Sequence, residues 1–79
     1  MFYAYILKSL KDGSLYKGQT DNLENRLREH NSGKSSYTSG RVPWKVVYYE
    51  EFVSREEALK REKYFKSAAG RRFIRKLGL

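Results

Sequence analysis

The chain has 79 residues, no cysteine, and 17 lysine and arginine residues against nine aspartate and glutamate residues, a formal net charge of +8. This length predicts a single small domain over residues 1–79, and the absence of cysteine excludes a disulfide framework or a thiolate metal site. No apolar run is long enough to span a bilayer and no secretory signal pattern is present, so we expect a cytoplasmic protein.

The positive charge predicts a polyanionic partner, usually a nucleic acid. A charge that serves solubility alone is the alternative interpretation. An anionic membrane surface is less favoured, because the basic residues are spread over predicted helices that also carry carboxylates rather than gathered in one amphipathic segment.

The chain begins with a predicted β-hairpin. Residues Phe2–Ser9 are aromatic and β-branched enough for a strand, and both of its faces are apolar, which predicts a central strand covered on both sides. Lys11–Ser14 contains the Asp-Gly pair of a tight turn, so Leu15–Gln19 is predicted to return antiparallel to the first strand.

The first predicted helix runs from Asn22 to about His30, with Leu23 and Leu27 as its apolar anchors. Arg26 and His30 are four residues apart, so they share one helical face beside the apolar stripe. The polar segment 34–41 that follows has no hydrophobic period. It is predicted to be an exposed loop with a cation at each end.

The second half of the sequence is predicted to form one strand and two helices. Lys45–Phe52 reads as the third strand, and Ser54 opens a helix with a capping box that ends near Ala68. The predicted apolar face of this helix consists of Ala58, Leu59, Phe65 and Ala69. Gly70 is expected to break it before a short basic helix over Arg71–Leu77, whose Phe73, Ile74 and Leu77 face inward. The order β-β-α-β-α-α predicts an α+β fold, a three-stranded antiparallel sheet flanked by helices.

Three polar residues of the predicted helices could carry chemistry. Glu62 lies within an apolar arc, which is costly unless the carboxylate forms an ion pair, for example with Arg26 or Arg61, or binds a divalent cation. Arg26 offers a donor fork suited to a phosphate, or a partner for Glu62 or Glu29. His30, the single histidine, is either a packing residue or a proton-transfer group.

Tyr5 and Tyr16 lie on neighbouring strands of the predicted hairpin. A tyrosine acts as a base only when nearby cations lower its pKa from about 10. Lys17, Arg26 and a metal ion at Glu62 are the candidates for that effect.

Several short motifs occur along the chain in a characteristic order. They are Tyr3-Ala4-Tyr5, Tyr16-Lys17-Gly18, Gly18-x-Thr20, Asn22-Leu23-x-x-Arg26-Leu27, Arg26-x-x-x-His30 and Ala58-Leu59-x-x-Glu62-x-x-x-Lys66. Together they resemble the GIY-YIG endonuclease superfamily, and most of all its small stand-alone YhbQ/YazA-like members. The same module forms the N-terminal nuclease domain of the UvrC repair protein.

The resemblance implies a three-stranded antiparallel sheet flanked by helices and a metal-dependent endonuclease that hydrolyses DNA phosphodiester bonds, directed by DNA structure and linked to repair or recombination. Tyr5 and Tyr16 would be the signature tyrosines, one of which positions or deprotonates water. Arg26 would stabilise the pentacovalent phosphate, His30 would assist proton transfer, and Glu62 would hold one Mg²⁺ or Mn²⁺. The nucleic-acid-binding residues are predicted to be Lys17, Lys34, Arg41 and Lys66. DNA is the expected partner, with RNA as an alternative.

The chain departs from the family pattern in three places. Tyr3 replaces the first glycine, and Lys17 replaces the apolar middle residue of the second triplet. Many active relatives carry an asparagine about a dozen residues after the metal-binding glutamate, where this chain has Phe73 and Ile74. A catalytically weak or inactive nucleic-acid-binding module of the same fold is therefore one alternative, and a protein-interaction module is another. For the nuclease, we expect the five catalytic and metal-binding side chains on one concave electropositive surface, with Glu62 partly open to solvent.

Overall fold

The strand Phe2–Ser9 (β1) is the centre of a three-stranded antiparallel sheet in the computed structural model, which describes residues 1–79. Leu15–Thr20 (β2) pairs on one side of β1 and Trp44–Phe52 (β3) on the other, so β2 and β3 each have a free edge. Ala4 and Ile6 on one face and Tyr5 and Leu7 on the other are all buried, as expected for a strand covered on both faces. The predicted fold class and the central position of the first strand are confirmed.

Four helices cover the two faces of the sheet. They are α1 (Leu23–Asn31), α2 (Ser36–Ser39), α3 (Arg55–Lys66) and α4 (Ala68–Lys76). Leu23 and Leu27 of α1 pack on the face that carries Tyr5, Leu7 and Trp44. Phe65 of α3 and Ile74 of α4 pack on the opposite face, against Ala4 and Ile6. None of these helices combines the length and the apolar composition needed to cross a bilayer.

The predicted hairpin turn sets the register of β1 and β2. Gly13 has a positive φ of 77°, and the Asp12 side chain accepts a hydrogen bond from the Ser14 amide at 2.9 Å. This register places Tyr5 opposite Gly18 and Leu7 opposite Tyr16. Tyr5 and Tyr16 therefore project from the same face of the sheet, on neighbouring strands.

The segment 34–41 is not only the exposed loop that its polar sequence predicts. It contains the short helix α2, in which Thr38 has no exposed surface. The Thr38 carbonyl accepts a hydrogen bond from Trp44 Nε1 at 2.9 Å, and its hydroxyl lies 3.0 Å from His30 Nδ1. Hydrogen bonds rather than apolar burial hold this segment inward, which is why hydrophobic periodicity did not reveal it.

The predicted helix break at Gly70 is wrong. The interruption lies at Ser67, whose side chain caps α4 by accepting a hydrogen bond from the Gly70 amide at 3.1 Å. Gly70 is buried inside α4, where an added Cβ would lie only 1.7 Å from the Tyr64 carbonyl oxygen. The α3–α4 junction thus needs a glycine for close approach of backbones rather than for chain reversal.

Three residues assigned to inward helix faces point outward instead. They are Leu59, Leu77 and Ala69, of which the first two are 36% and 37% exposed. The direction change at Ser67 rotates the residues after it relative to a continuous helix, which explains Ala69.

Gly70→Ala tests the tight α3–α4 junction. Helix propensity alone would favour alanine by about 1 kcal/mol, but the overlap with the Tyr64 carbonyl predicts a loss of about 1–3 kcal/mol in the free energy of unfolding. Urea unfolding followed by circular dichroism measures it. Gly40→Ala is the matched control, since Gly40 has a negative φ and no atom within 4 Å of an added Cβ. A Gly70 variant as stable as this control would contradict the packing described here.

Candidate active site

The side chain of Tyr5 lies across β2 because the residue opposite it, Gly18, has no side chain. A Cβ added at Gly18 would lie 2.5 Å from the Tyr5 hydroxyl oxygen and 2.7 Å from its Cζ. These distances are too short for any side chain to coexist with the ring. Gly18 therefore has a steric role, and Tyr5 extends past it toward α1 while remaining only 1% exposed.

The Tyr5 hydroxyl meets His30 at the end of α1. The hydroxyl oxygen lies 3.2 Å from His30 Nε2, and the other ring nitrogen, Nδ1, lies 3.0 Å from the Thr38 hydroxyl. His30 is only 1% exposed, so both of its nitrogens are satisfied within the protein. In either neutral tautomer one nitrogen donates and the other accepts, and the result is a continuous chain from Tyr5 through His30 to Thr38.

Thr38 and Asn31 support this chain and were not identified in the sequence. Asn31 holds the start of β3: its Oδ1 accepts from the Trp44 amide at 2.6 Å and its Nδ2 donates to the Trp44 carbonyl at 3.1 Å. Trp44 in turn donates to Thr38. Asn31 directly after His30 was the only available sequence signal, and it reads equally well as a helix terminator.

Burial sets the protonation of both central groups. It raises the pKa of Tyr5 to about 12, with smaller upward effects from Tyr16 and Glu62 opposed by Arg26. This direction is opposite to the lowered pKa that a tyrosine base requires, so Tyr5 keeps its proton at neutral pH. Burial and then the positive charge of Arg26 lower the pKa of His30 below its ordinary 6.5, so the imidazole is neutral at pH 7.

Tyr16 and Arg26 lie between the buried Tyr5–His30 pair and the protein surface. The half-buried Tyr16 ring has its centroid 4.6 Å from that of His30. Arg26 donates to Glu29 Oε1 at 2.9 Å, which selects Glu29 among the partners considered from the sequence. That hydrogen bond, followed by the nearby Tyr5 and Tyr16 hydroxyls, raises the pKa of Arg26, so its guanidinium remains charged.

A cleft of about 360 Å³ opens beside Arg26. It is lined by Arg26, Glu29, His30, Lys34 and Ser35. The structure therefore places Lys34, predicted to bind nucleic acid, next to Arg26 and His30.

Glu62 lies on the other side of β2, on α3. Its Oε2 accepts a hydrogen bond from Lys66 Nζ at 2.8 Å, and its side chain is 19% exposed, so it is not sealed in a dry ion pair. Neither predicted partner pairs with it: Arg26 binds Glu29, and Arg61 donates to Glu50 at 2.8 and 3.1 Å. The charge of Glu62 still contributes to the raised pKa of Tyr5.

The donor set at Glu62 suits only one kind of metal site. No group of three histidine, aspartate or glutamate side chains is placed to enclose an ion. A lone, partly exposed carboxylate fits Mg²⁺, which keeps several waters and takes phosphate oxygens from its substrate. Glu62 could therefore hold such an ion as its only protein ligand, in competition with Lys66.

The predicted nucleic-acid-binding cations fall into two classes. Lys17 and Lys66 line a cleft of about 190 Å³ together with Tyr16, and Lys34 lies by Arg26. Arg41 is engaged elsewhere, 3.3 Å from an Asp12 carboxylate oxygen and stacked on the Tyr37 ring at 4.7 Å. Its charge is already offset by a carboxylate.

The expected single concave surface is found only in part. Tyr5, Tyr16, Arg26 and His30 meet directly, whereas Glu62 approaches from the opposite face of the sheet. His30 lines the cleft beside Arg26 and Tyr16 lines the cleft beside Lys66, and the contact between these two rings connects the clefts.

Residues 1–76 match the family model of the GIY-YIG catalytic domain. The chain belongs to the GIY-YIG family. It is 54% identical over 67 residues to a UPF0213 protein of Clostridium perfringens, and the alignment covers 84% of this chain and 71% of that protein. It is 51% identical over 65 residues to a UPF0213 protein of Bacillus licheniformis, and this alignment covers 81% of this chain and 66% of that protein.

A solved structure agrees with the GIY-YIG fold. The solution NMR structure of the UPF0213 protein BH0048 from Bacillus halodurans matches with a TM-score of 0.55 and 40% identity, over 98% of this chain and 85% of that one. Gly18 is the glycine that ends the second triplet of the GIY-YIG pattern. It is also the residue at which the Tyr5 ring leaves no room for a side chain.

The lowered pKa of His30 predicts how the GIY-YIG domain responds to pH. The unfolded chain takes up a proton at its ordinary pKa of 6.5, while the folded chain does so only at lower pH. The free energy of unfolding is therefore retained above pH 6.5 and declines as the pH falls through the folded-state pKa. Urea unfolding between pH 7 and 5 should show this decline, and His30→Gln should reduce it. An NMR titration that places the single histidine at or above 6.5 would contradict the burial described here.

Proposed function

We propose that this GIY-YIG domain is an endonuclease that hydrolyses DNA phosphodiester bonds with Mg²⁺ or Mn²⁺. The observation that carries the proposal is the contact of Tyr16 with the buried Tyr5–His30 pair and the position of Arg26 beside His30, next to the clefts that hold Lys17, Lys34 and Lys66. Membership in the GIY-YIG family supports nuclease chemistry. DNA as the substrate, the metal and the residue roles are the proposal's own content.

Arg26 is the group suited to the phosphate. Its guanidinium is permanently charged, planar and 40% exposed at the cleft beside α1. A fork of N–H donors binds phosphate oxygens in pairs, and it stabilises the charge that develops on them in the transition state. Glu29 accepts a hydrogen bond from Arg26 Nη1 and so orients the guanidinium, while other N–H donors remain for a phosphate.

Tyr16 and His30 are suited to the attacking water. The half-buried Tyr16 hydroxyl orients the water, whose oxygen forms the new bond to phosphorus as the bond to the leaving ester oxygen breaks. The water's proton passes to the Tyr5 hydroxyl as Tyr5 gives its own proton to Nε2 of neutral His30, and the leaving ester oxygen takes up a proton from solvent. This relay never requires a free Tyr5 phenolate, which agrees with the raised pKa of Tyr5.

Glu62 is the residue that would hold the divalent cation. When the cation binds, the hydrogen bond from Lys66 to the Glu62 carboxylate would break. A bound cation would supply Lewis-acid polarisation of the phosphoryl oxygens. Because the cations in the clefts are lysines and arginines suited to backbone phosphates, the proposal favours selection by DNA structure rather than base sequence, as in repair or recombination. RNA stays an alternative substrate.

A nucleic-acid-binding module without turnover is the second candidate. It is favoured by the lone carboxylate at the metal position and by the packing of Phe73 and Ile74. Both residues lie in the apolar core, where many active relatives carry an asparagine. This module would bind DNA with strong salt dependence and cleave none of it.

Glu62→Gln separates the two candidates. We expect hydrolysis of branched, nicked or single-stranded DNA to fall by roughly 100-fold or more, as when one strong transition-state contact is removed, while binding is retained. Glu56→Gln, in the exposed first turn of the same helix, should keep full activity.

Cleavage assays with Mg²⁺ and Mn²⁺ and parallel binding titrations decide the outcome. Equal hydrolysis by Glu62→Gln and the unmodified protein would exclude the proposed role of this carboxylate. Binding without cleavage by the unmodified protein in either metal would favour the second candidate.

A further inference from the structure

A third cleft extends away from the candidate active site along α4. Its volume is about 270 Å³, and it is lined by Leu15, Lys17, Arg71, Ile74, Arg75 and Leu79. It shares Leu15 and Lys17 with the cleft that contains Tyr16 and Lys66, so the two clefts adjoin at β2. We call this third space the α4 cleft.

The cations of the α4 cleft have no carboxylate partner. None of Lys17, Arg71 and Arg75 takes part in an ion pair with a carboxylate. The helix α4 contains no acidic residue. Arg71 and Arg75 are four residues apart and project from the same side of the helix. The apolar side chains of Ile74 and Leu79 line the same space, against which the arginine stems can pack.

These like charges lie close enough to affect one another. Burial lowers the pKa of Lys17, and Arg71 and then Lys66 lower it further. Holding unpaired cations together costs free energy in the isolated protein, and that cost is relieved when an anion binds between them.

We propose that the α4 cleft binds a backbone phosphate of the substrate strand, next to the phosphate that is hydrolysed. This inference rests on the proposed function, because it names where the nucleic acid continues after it leaves Tyr16. The strand passes from the cleft beside Arg26, over the free edge of β2, and onto α4 through Lys17. Arg71 and Arg75 supply the guanidinium donors for this second phosphate.

A path of the nucleic acid through the cleft between α1 and β3 is disfavoured by charge. The largest cleft of the protein, about 520 Å³, shares no residue with the others, and its rim carries Asp21, Glu24 and Glu51. No lysine or arginine lines it. These carboxylates would repel a phosphate backbone, so the path over α4 is the favourable one.

The chain offers a matched pair of double variants for the test. Arg71→Gln with Arg75→Gln removes two charges from the α4 cleft. Arg72→Gln with Lys76→Gln removes two charges with the same spacing from the same helix, at exposed residues that line no cleft. Fluorescence anisotropy of labelled single-stranded and duplex DNA, over a series of NaCl concentrations, gives the dissociation constants.

We expect the first pair to raise the dissociation constant by roughly 10-fold or more and to reduce the slope of log affinity against log salt by about one to two. The second pair should change the dissociation constant by less than about 3-fold. Arg71→Lys with Arg75→Lys preserves the charge and should retain most of the affinity. If the first pair does not fold, the single variant Arg75→Gln replaces it with Arg72→Gln as its control, and only Arg75→Gln should weaken binding.

Three results would overturn the inference. Equal losses for the two glutamine pairs would mean that only total charge matters, and unchanged binding by the first pair would exclude the α4 cleft. In both cases the proposed nuclease function is decided separately, by whether the unmodified protein binds and cleaves DNA. An unmodified protein that binds neither DNA nor RNA at low salt would overturn the proposed function as well.

Discussion

The packing of the Tyr5 ring over Gly18 is the constraint on which the rest of the candidate site depends. Because β2 has no side chain at that point, a residue of the central strand reaches across its neighbour to the end of α1. Its hydroxyl there contacts His30, which is held from its other side by Thr38. Tyr16 packs on the same imidazole and carries this buried network to the surface.

Several cations lie around this network. Lys34 lies by Arg26, and Lys17 and Lys66 lie by Tyr16, while the acidic cleft between α1 and β3 is separate. Arg26 and Lys66 are themselves paired with Glu29 and Glu62, so part of this charge is offset locally. Under the proposed function, these cations would bring a polyanionic ligand to the buried hydrogen-bond network.

Much of this arrangement can be predicted from the sequence, because local rules determine it. The Asp-Gly turn sets the register of the hairpin, and alternation then puts Tyr5 and Tyr16 on one face. Thr38 could not be predicted, since a hydroxyl in a polar segment has no periodic signal and its burial depends on partners far along the chain. Gly70 was misjudged because a glycine that permits close packing looks the same in sequence as one that ends a helix. The partner of Glu62 was left open among the nearby cations, although Lys66 has the i,i+4 spacing of a helical ion pair.

The most direct test of the account is the ¹⁵N NMR spectrum of the His30 imidazole in Gly18→Ala. A methyl group at residue 18 must displace the Tyr5 ring, since it would lie 2.5 Å from the hydroxyl oxygen. We predict that the Nε2 resonance shifts as the hydrogen bond to Tyr5 is lost, while the amide spectrum keeps the dispersion of a folded domain. Unchanged imidazole resonances in a folded Gly18→Ala protein would contradict the central role of this packing.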